Sequence, residues 1–255
     1  MLKGLLESYK RGELSEEEVE EKVLRLFYEE GEGFLLDLHR AKRIGFPEVI
    51  FAPGKRPEHL IKIAEKILAK KEIVFISNIN SEKENILRET FSGLKIEKAG
   101  RLIVIKKRDH IHESLGTVGI ITAGTSDTPY AGECSLILKK FGVRVIKSYD
   151  SGVSGIHRPL LSLKQVKNSD VLIVFAGMEG VLPTLIASLT ELPVIAVPTP
   201  IGYGFGGEGK GALTTMLQTC VPGVLVVNIG NTVGAAAGAI RILRAIRRNK
   251  VGEAK

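Results

Sequence analysis

The chain of 255 residues contains no tryptophan, only two cysteines and five histidines, and its aromatic content is 5%. Two cysteines cannot build a disulfide framework, so a reducing compartment is expected, with the cytoplasm as default. The opening residues Met1-Leu2-Lys3-Gly4-Leu5-Leu6-Glu7 lack the apolar core of a secretory signal, because an acid arrives within two turns. A run of membrane-spanning character is lacking as well. The longest uncharged stretch, Gly211–Ile240, is 30 residues long, but Pro222, Asn228, Asn231 and glycines at strand–turn–helix spacing mark it as buried core. No membrane partner is expected.

What is present is the balance of a chain that buries a core: 44% hydrophobic residues, 25% charged residues and 28 glycines. The formal charge of +7 raises the question of nucleic acid, which is bound through clustered Lys and Arg. The distribution argues against it. Residues 1–115 carry 22 basic and 21 acidic side chains, and residues 116–255 carry 14 and 8. Much of the second excess is Arg241, Arg244, Arg247 and Arg248, on a last helix whose carboxyl end they complement electrostatically. With acids so scarce there, a carboxylate among glycines and apolar residues needs a reason, because burying it unpaired is costly.

The composition shift divides the chain into an N-terminal module, residues 1–112, and a C-terminal domain, residues 113–255, with a linker around 108–117. In the module, Ser15 with Glu18 three residues on predicts a capped helix running through Val19, Val23, Leu24 and Phe27, ended by Gly31 and Gly33. Residues 34–44 read as helix, 49–51 as strand, 57–70 as helix, 73–77 as strand, 81–91 as helix and 102–106 as strand. Asp37, Arg40 and Arg43 are expected to form a salt-bridged surface.

From Val118 the pattern is regular. Five β-branched runs, 118–122, 143–146, 171–175, 194–197 and 224–227, alternate with helical segments, as in a parallel sheet buried on both faces. The expected class is α/β: a doubly wound, flavodoxin- or Rossmann-like three-layer domain, preceded by a small α/β module, with ligands at the carboxyl ends of the strands.

Four strand ends carry candidate chemistry. The first, Ala123-Gly124-Thr125-Ser126-Asp127-Thr128-Pro129, offers hydroxyls and a carboxylate at a helix start, suited either to capping or to holding phosphate. The second, Tyr149-Asp150-Ser151-Gly152-Val153-Ser154-Gly155-Ile156-His157-Arg158-Pro159, holds an acid–base group beside an anion clamp, or a histidine that is structural or merely exposed. The third, Ala176-Gly177-Met178-Glu179-Gly180, places an acid after a buried strand, as a base or as a helix-dipole partner. The fourth runs from Pro198 to Gly211. Gly204 to Gly209 fits a dinucleotide fingerprint literally, and Gly204 to Lys210 fits most of a P-loop. The first lacks the following acid, and Gly211 replaces the magnesium-binding hydroxyl of the second, so a ligand-closing loop is the reading. Cys134 shares a helix face with Tyr130, Ile137, Leu138 and Phe141 and reads as core. Cys220 stands at a helix-to-strand turn, opposite the ligand edge, where it meets the other candidates only across a subunit contact.

These residues carry a resemblance. Ser126-Asp127-Thr128-Pro129, His157-Arg158, Ala176-Gly177 through Leu182-Pro183, and Gly230-Asn231 through Gly234-Ala235-Ala236 are similar to the ordered motifs of the aminoimidazole ribonucleotide carboxylase superfamily. The purine enzymes carry a histidine at the place of Val181 and lack Glu179 and Cys220. Those differences, the loop Gly202-Tyr203-Gly204-Phe205-Gly206-Gly207-Glu208-Gly209-Lys210-Gly211 and the Arg43-x-x-Gly-Phe-Pro-Glu-Val-Ile segment resemble the LarB family of nickel-pincer cofactor assembly.

The resemblance implies a carboxylase/hydrolase. Its substrates are nicotinic acid adenine dinucleotide and carbon dioxide or bicarbonate, its products pyridinium biscarboxylate mononucleotide and AMP. It also implies a homo-octamer with sites shared between subunits and no tightly bound cofactor, with a Mg²⁺ requirement left open. Cys220 is implied as a covalent nucleophile, Glu179 or Asp127 as the ring-proton base, and His157 with Arg158 as orienting groups. Phosphate and ring contacts fall to Gly124, Thr125, Ser126, Gly177, Met178, Gly204, Gly206, Gly207, Lys210 and Asn231. The alternatives are a purine-type carboxylase or mutase and a noncatalytic nucleotide-binding module.

Overall fold

A computed structural model describes residues 2–25, 28–31, 33–37, 39–108 and 113–252. The chain divides into two compact units, residues 1–97 with 102–108, and residues 98–101 with 109–255.

The first unit opens with α1 (Leu2–Lys10) and α2 (Glu16–Arg25). The latter is capped reciprocally: Glu18 N–H donates to Ser15 Oγ at 3.1 Å, and Ser15 N–H donates to Glu18 Oε2 at 2.8 Å. Phe27, the last residue of the expected helix, lies outside the described residues. A hairpin follows, β1 (Glu29–Gly31) with β2 (Phe34–Leu36), then the short α3 (Arg40–Ile44).

The hairpin corrects the helix expected over residues 34–44. A short apolar run such as Phe34-Leu35-Leu36 fits either period, and Gly33, at φ +80°, allows the tight return that pairs it with β1. Only Arg40–Ile44 is helical there, and it stops at Gly45 in the left-handed region. Asp37 therefore precedes the helix rather than sharing its face. It still pairs with Arg43, whose hydrogen bond holds its carboxyl below the usual carboxylate range.

The unit's sheet comprises β3 (Val49–Phe51), β4 (Ile73–Ser77), β5 (Lys95–Ala99) and β6 (Leu102–Lys106) in the order β3-β4-β6-β5. Its β3–β4 pair is parallel and β4–β6 antiparallel. Two helices, α4 (Pro57–Lys70) and α5 (Ser81–Thr90), pack here, burying Leu60, Ile63, Ile67 and Leu87 against Ile50, Val74, Ile76, Ile103 and Ile105. β5 is absent from the sequence reading because three of the five residues in Lys95-Ile96-Glu97-Lys98-Ala99 are charged and none is fully buried.

In the second unit five strands alternate with helices: β7 (Gly116–Thr122), α6 (Thr128–Lys139), β8 (Val143–Ser148), α7 (His157–Val166), β9 (Val171–Ala176), α8 (Leu182–Ala187), β10 (Val194–Pro198), α9 (Lys210–Leu217), β11 (Val224–Val226) and α10 (Thr232–Gly252). All pairings in this sheet are parallel, in the order β11-β10-β9-β7-β8. The fold is the expected α/β, doubly wound type. Strand order reverses between β7 and β9, so a crevice opens where their carboxyl ends diverge.

The central strand β9 is buried along its whole length, as its run Val-Leu-Ile-Val-Phe-Ala requires. Cys134 is fully buried on α6, and burial, reinforced by the nearby Glu133 charge, pushes its thiol up. Among the described residues no helix is long and apolar enough to cross a membrane.

Phe175 is fully buried in β9 between two partner strands. Phe175→Ala is expected to lower the unfolding free energy of the second unit by about 3–5 kcal/mol, seen as a lower urea midpoint at unchanged slope.

Candidate functional site

The crevice at the strand reversal is a real cleft of about 290 Å³, lined by segments that follow three strands and reach into a fourth. The β7 end supplies Ala123, Gly124, Ser126 and Asp127; the β8 end Gly152, Val153 and Ser154; and the β9 end Ala176, Gly177, Met178, Glu179, Val181 and Leu182. Ile201 comes from the segment after β10.

Local rules place these groups. After β7 the backbone makes one 3₁₀ turn, Thr125–Asp127, before α6 begins with Pro129 in its first turn, where a missing N–H costs nothing. Asp127 folds back under that turn. Its Oδ2 accepts from Gly124 N–H at 2.8 Å, and its Oδ1 accepts from the Thr199 hydroxyl at 2.6 Å. With a relative exposure of 3%, Asp127 is buried, and burial raises its carboxyl above the usual range although both hydrogen bonds oppose the shift. Among the described residues both of its hydrogen-bond partners are neutral.

The β9 and β10 ends are laced together. Met178 N–H donates to Ile201 O at 2.6 Å, and Gly177 lies so close that an added Cβ would stand 2.3 Å from the same oxygen. A side chain at 177 would therefore push Ile201 away from the cleft. Met178 takes a left-handed φ of 51°, and Asp150 and Glu208, on the neighbouring loops, do the same at 57° and 59°. Three of the four such non-glycine residues among the described residues thus lie at this one edge, and left-handed backbone of that kind concentrates at functional sites. Under the β8 loop, Ser148 donates to Ser162 at 2.8 Å and Ser151 shares a short hydrogen bond with Ser162, so a buried hydroxyl trio supports Gly152–Ser154.

The cleft pairs an apolar surface of Val153, Met178, Val181, Leu182 and Ile201 with two carboxylates, one buried (Asp127) and one exposed (Glu179). That combination can hold an apolar or flat group and move a proton on it.

The anticipated residues fall into two groups. Gly124, Ser126, Asp127, Gly177, Met178 and Glu179 meet at the cleft. Thr125, His157, Arg158, Gly204, Gly206, Gly207, Lys210, Asn231 and Cys220 are not among its lining residues. Thr125 is exposed in the 3₁₀ turn, and His157 and Arg158 begin α7 in the open, with Arg158 Nη1 3.3 Å from Asp150 Oδ2. Gly204 and Gly206 form a 3₁₀ turn beside Gly207, with Tyr203 and Phe205 exposed; Lys210 pairs with Glu208 at 3.1 Å. Asn231 caps α10, its Oδ1 accepting from Gly234 N–H at 2.8 Å. Cys220 is an exposed free thiol in the turn entering β11, at the amino edge of the sheet.

Sequence reasoning missed Thr199, and in the loop after β8 it singled out His157 and Arg158 where Gly152–Ser154 line the cleft. The signal for Thr199 was a hydroxyl between Pro198 and Pro200 directly after a buried strand, outweighed by the glycines that follow. Among the described residues no group of three or more His, Cys, Asp or Glu is arranged to hold a metal ion.

Residues 28–108 match a family described as the LarB/PurE-like N-terminal domain, and residues 117–254 match AIR carboxylase. An uncharacterized protein of Methanocaldococcus jannaschii is 40% identical over 242 residues, covering 92% of this chain and 93% of its own. N5-carboxyaminoimidazole ribonucleotide mutases are similar over the second half. The one from M. jannaschii is 40% identical over 129 residues, 49% of this chain and 76% of its own. The one from Aquifex aeolicus is 35% identical over 132 residues, 49% of this chain and 75% of its own.

Because the folded-state carboxyl of Asp127 is raised, its stabilising contribution is complete below the unfolded carboxylate pKa and is lost as pH rises through the folded value. Asp127→Asn removes that loss. Its melting temperature is therefore expected to gain on the wild type as pH rises from about 4 to 8, and a difference independent of pH would contradict the assignment.

Proposed function

Because the chain belongs to the LarB family, related to aminoimidazole ribonucleotide carboxylase, we propose that it carboxylates the pyridinium ring of nicotinic acid adenine dinucleotide. In the same reading it hydrolyses the phosphoanhydride, releasing AMP and pyridinium biscarboxylate mononucleotide. The observation that carries this reading is a buried carboxyl held by two neutral donors, in one cleft with a second carboxylate and an apolar surface containing Val181. The cleft, about 290 Å³, lies at the lower end of ligand-pocket sizes, roughly 300–1,000 Å³, and suits the pyridine half of the dinucleotide.

The chemistry assigns the residue types. A pyridinium ring is too electron-poor to attack carbon dioxide. Addition of the Cys220 thiolate at the carbon para to nitrogen forms a C–S bond and moves an electron pair onto nitrogen. The resulting enamine carbon attacks carbon dioxide, forming the C–C bond and an iminium. Asp127, its affinity for a proton raised by burial, then takes the hydrogen from the carboxylated carbon. The nitrogen lone pair expels the thiolate, and aromaticity returns with no net oxidation or reduction.

Glu179 lies at the mouth, where its charge orients the cationic ring. Thr125 and Ser126, both exposed, offer N–H and hydroxyl donors to phosphate, and Arg158 and Lys210 offer cations on the adjoining loops. The loop around Gly204, Gly206 and Gly207 covers the ring and excludes water. Since Cys220 sits at the opposite edge of the sheet, it serves the cleft of another copy, in a homo-oligomer with shared sites.

Cys220→Ser is expected to lower carboxylation of nicotinic acid adenine dinucleotide by at least about 10²-fold, while Cys134→Ala, a buried change on α6, keeps most activity in folded protein. Equal activity of the two variants would remove the covalent step. For Glu179→Gln the expectation is a rise in KM larger than any fall in kcat, because its charge attracts the cationic ring before the thiolate adds. Carboxylation of aminoimidazole ribonucleotide in place of the dinucleotide would instead favour the purine reaction suggested by the mutase relatives.

A further inference from the structure

We infer that Thr199 is the positioning residue for Asp127, fixing the orientation of its carboxyl and favouring its ionised form through a donated hydrogen bond. This deepens the proposed function and rests on Asp127 serving there as the base.

Thr199 has no exposed surface, so it does not touch a substrate in the cleft and acts only through its neighbour. Its hydroxyl donates to Asp127 Oδ1 at 2.6 Å, across 72 residues of sequence. It is gripped on every side. Its N–H donates to Ala176 O at 2.9 Å, an added Cβ on Gly177 would lie 2.8 Å from its Oγ1, and one on Gly209 would lie 2.8 Å from its carbonyl oxygen. A hydroxyl held this way cannot swing out to another acceptor, so the bond is in place before any substrate arrives.

Gly124 N–H occupies the other carboxyl oxygen. A backbone amide can only donate, and it is set by the local turn. Thr199 is thus the one side chain among the described residues whose hydrogen bond is seen to act on the proton affinity of this group.

The charged and titratable groups on the elements around Asp127 are Tyr130, Glu133, Cys134 and Lys139 on α6, Glu179 after β9, Tyr149, Asp150, His157 and Arg158 after β8, and Tyr203, Glu208 and Lys210 after β10. Of these, Tyr130, Glu133, Cys134 and Tyr149 are themselves raised, chiefly by burial; at Tyr130 the Arg101 charge opposes the shift and the charges of Glu133 and Asp127 add to it.

The test measures melting temperature against pH for the wild type, Thr199→Val and Thr199→Ser, each compared with the same protein carrying Asp127→Asn, so that the difference reports ionisation of Asp127 without any activity assay. Thr199→Val is expected to move the midpoint upward by about 1–2 pH units, the strength of a hydrogen bond to an ionised group. Thr199→Ser is expected to keep the wild-type midpoint. Thr199→Ala provides the same comparison if a methyl beside Gly177 hinders folding. A midpoint in Thr199→Val and Thr199→Ala equal to the wild type would overturn the inference. In parallel, the acid limb of kcat/KM for carboxylation is expected to move with the midpoint. A midpoint that moves while the limb stays supports the role of Thr199 and removes Asp127 as the base.

Discussion

The site turns on a carboxyl kept inside a parallel sheet's crevice by two neutral hydrogen-bond donors. Burial disfavours its charge, while the Gly124 amide and the Thr199 hydroxyl partly restore it, leaving a group that takes up a proton more readily than a surface acid. A salt bridge would have given a more stable carboxylate and a weaker base. The balance requires that the turn after β7 and the residue that follows β10 meet at one carboxyl, 72 residues apart in sequence.

Strand reversal between β7 and β9 opens the space, and the lacing of Gly177, Met178 and Ile201 closes its far wall. The left-handed conformations of Asp150, Met178 and Glu208 show where the chain departs from its easiest backbone to do so. Rigid walls and a long glycine-containing segment on one side form a division of labour. The first fixes the acids, and the second, with Tyr203 and Phe205 exposed, supplies surface suited to meet a ligand or another copy of the chain.

Much of this was legible in the sequence, for physical reasons. Runs such as Val171-Leu-Ile-Val-Phe175 can only be buried strands, and the small residues and lone acids that follow them mark the ligand edge of a doubly wound sheet. The scarcity of acids in the second half pointed to Asp127 and Glu179, and both line the cleft. The hairpin at Phe34–Leu36 was misread because three apolar residues fit either period, and β5 was invisible because its strand is polar. Thr199 was missed for a different reason: its partner lies 72 residues away, and a hydroxyl shows no role until the fold brings its acceptor to it. Asn231 looked like a ligand contact and is seen capping α10.

The two halves of the proposed chemistry make unlike demands. Proton removal needs a dry carboxyl, which one chain supplies. Covalent activation needs a thiol, and Cys220 stands exposed at the edge of the sheet away from the cleft. The most direct measurement is mass analysis of the small-molecule products after incubation with nicotinic acid adenine dinucleotide and ¹³C-bicarbonate. The account predicts one labelled carboxyl on the pyridinium mononucleotide and one AMP per product. Intact dinucleotide, or AMP released with no label on the ring, would contradict it.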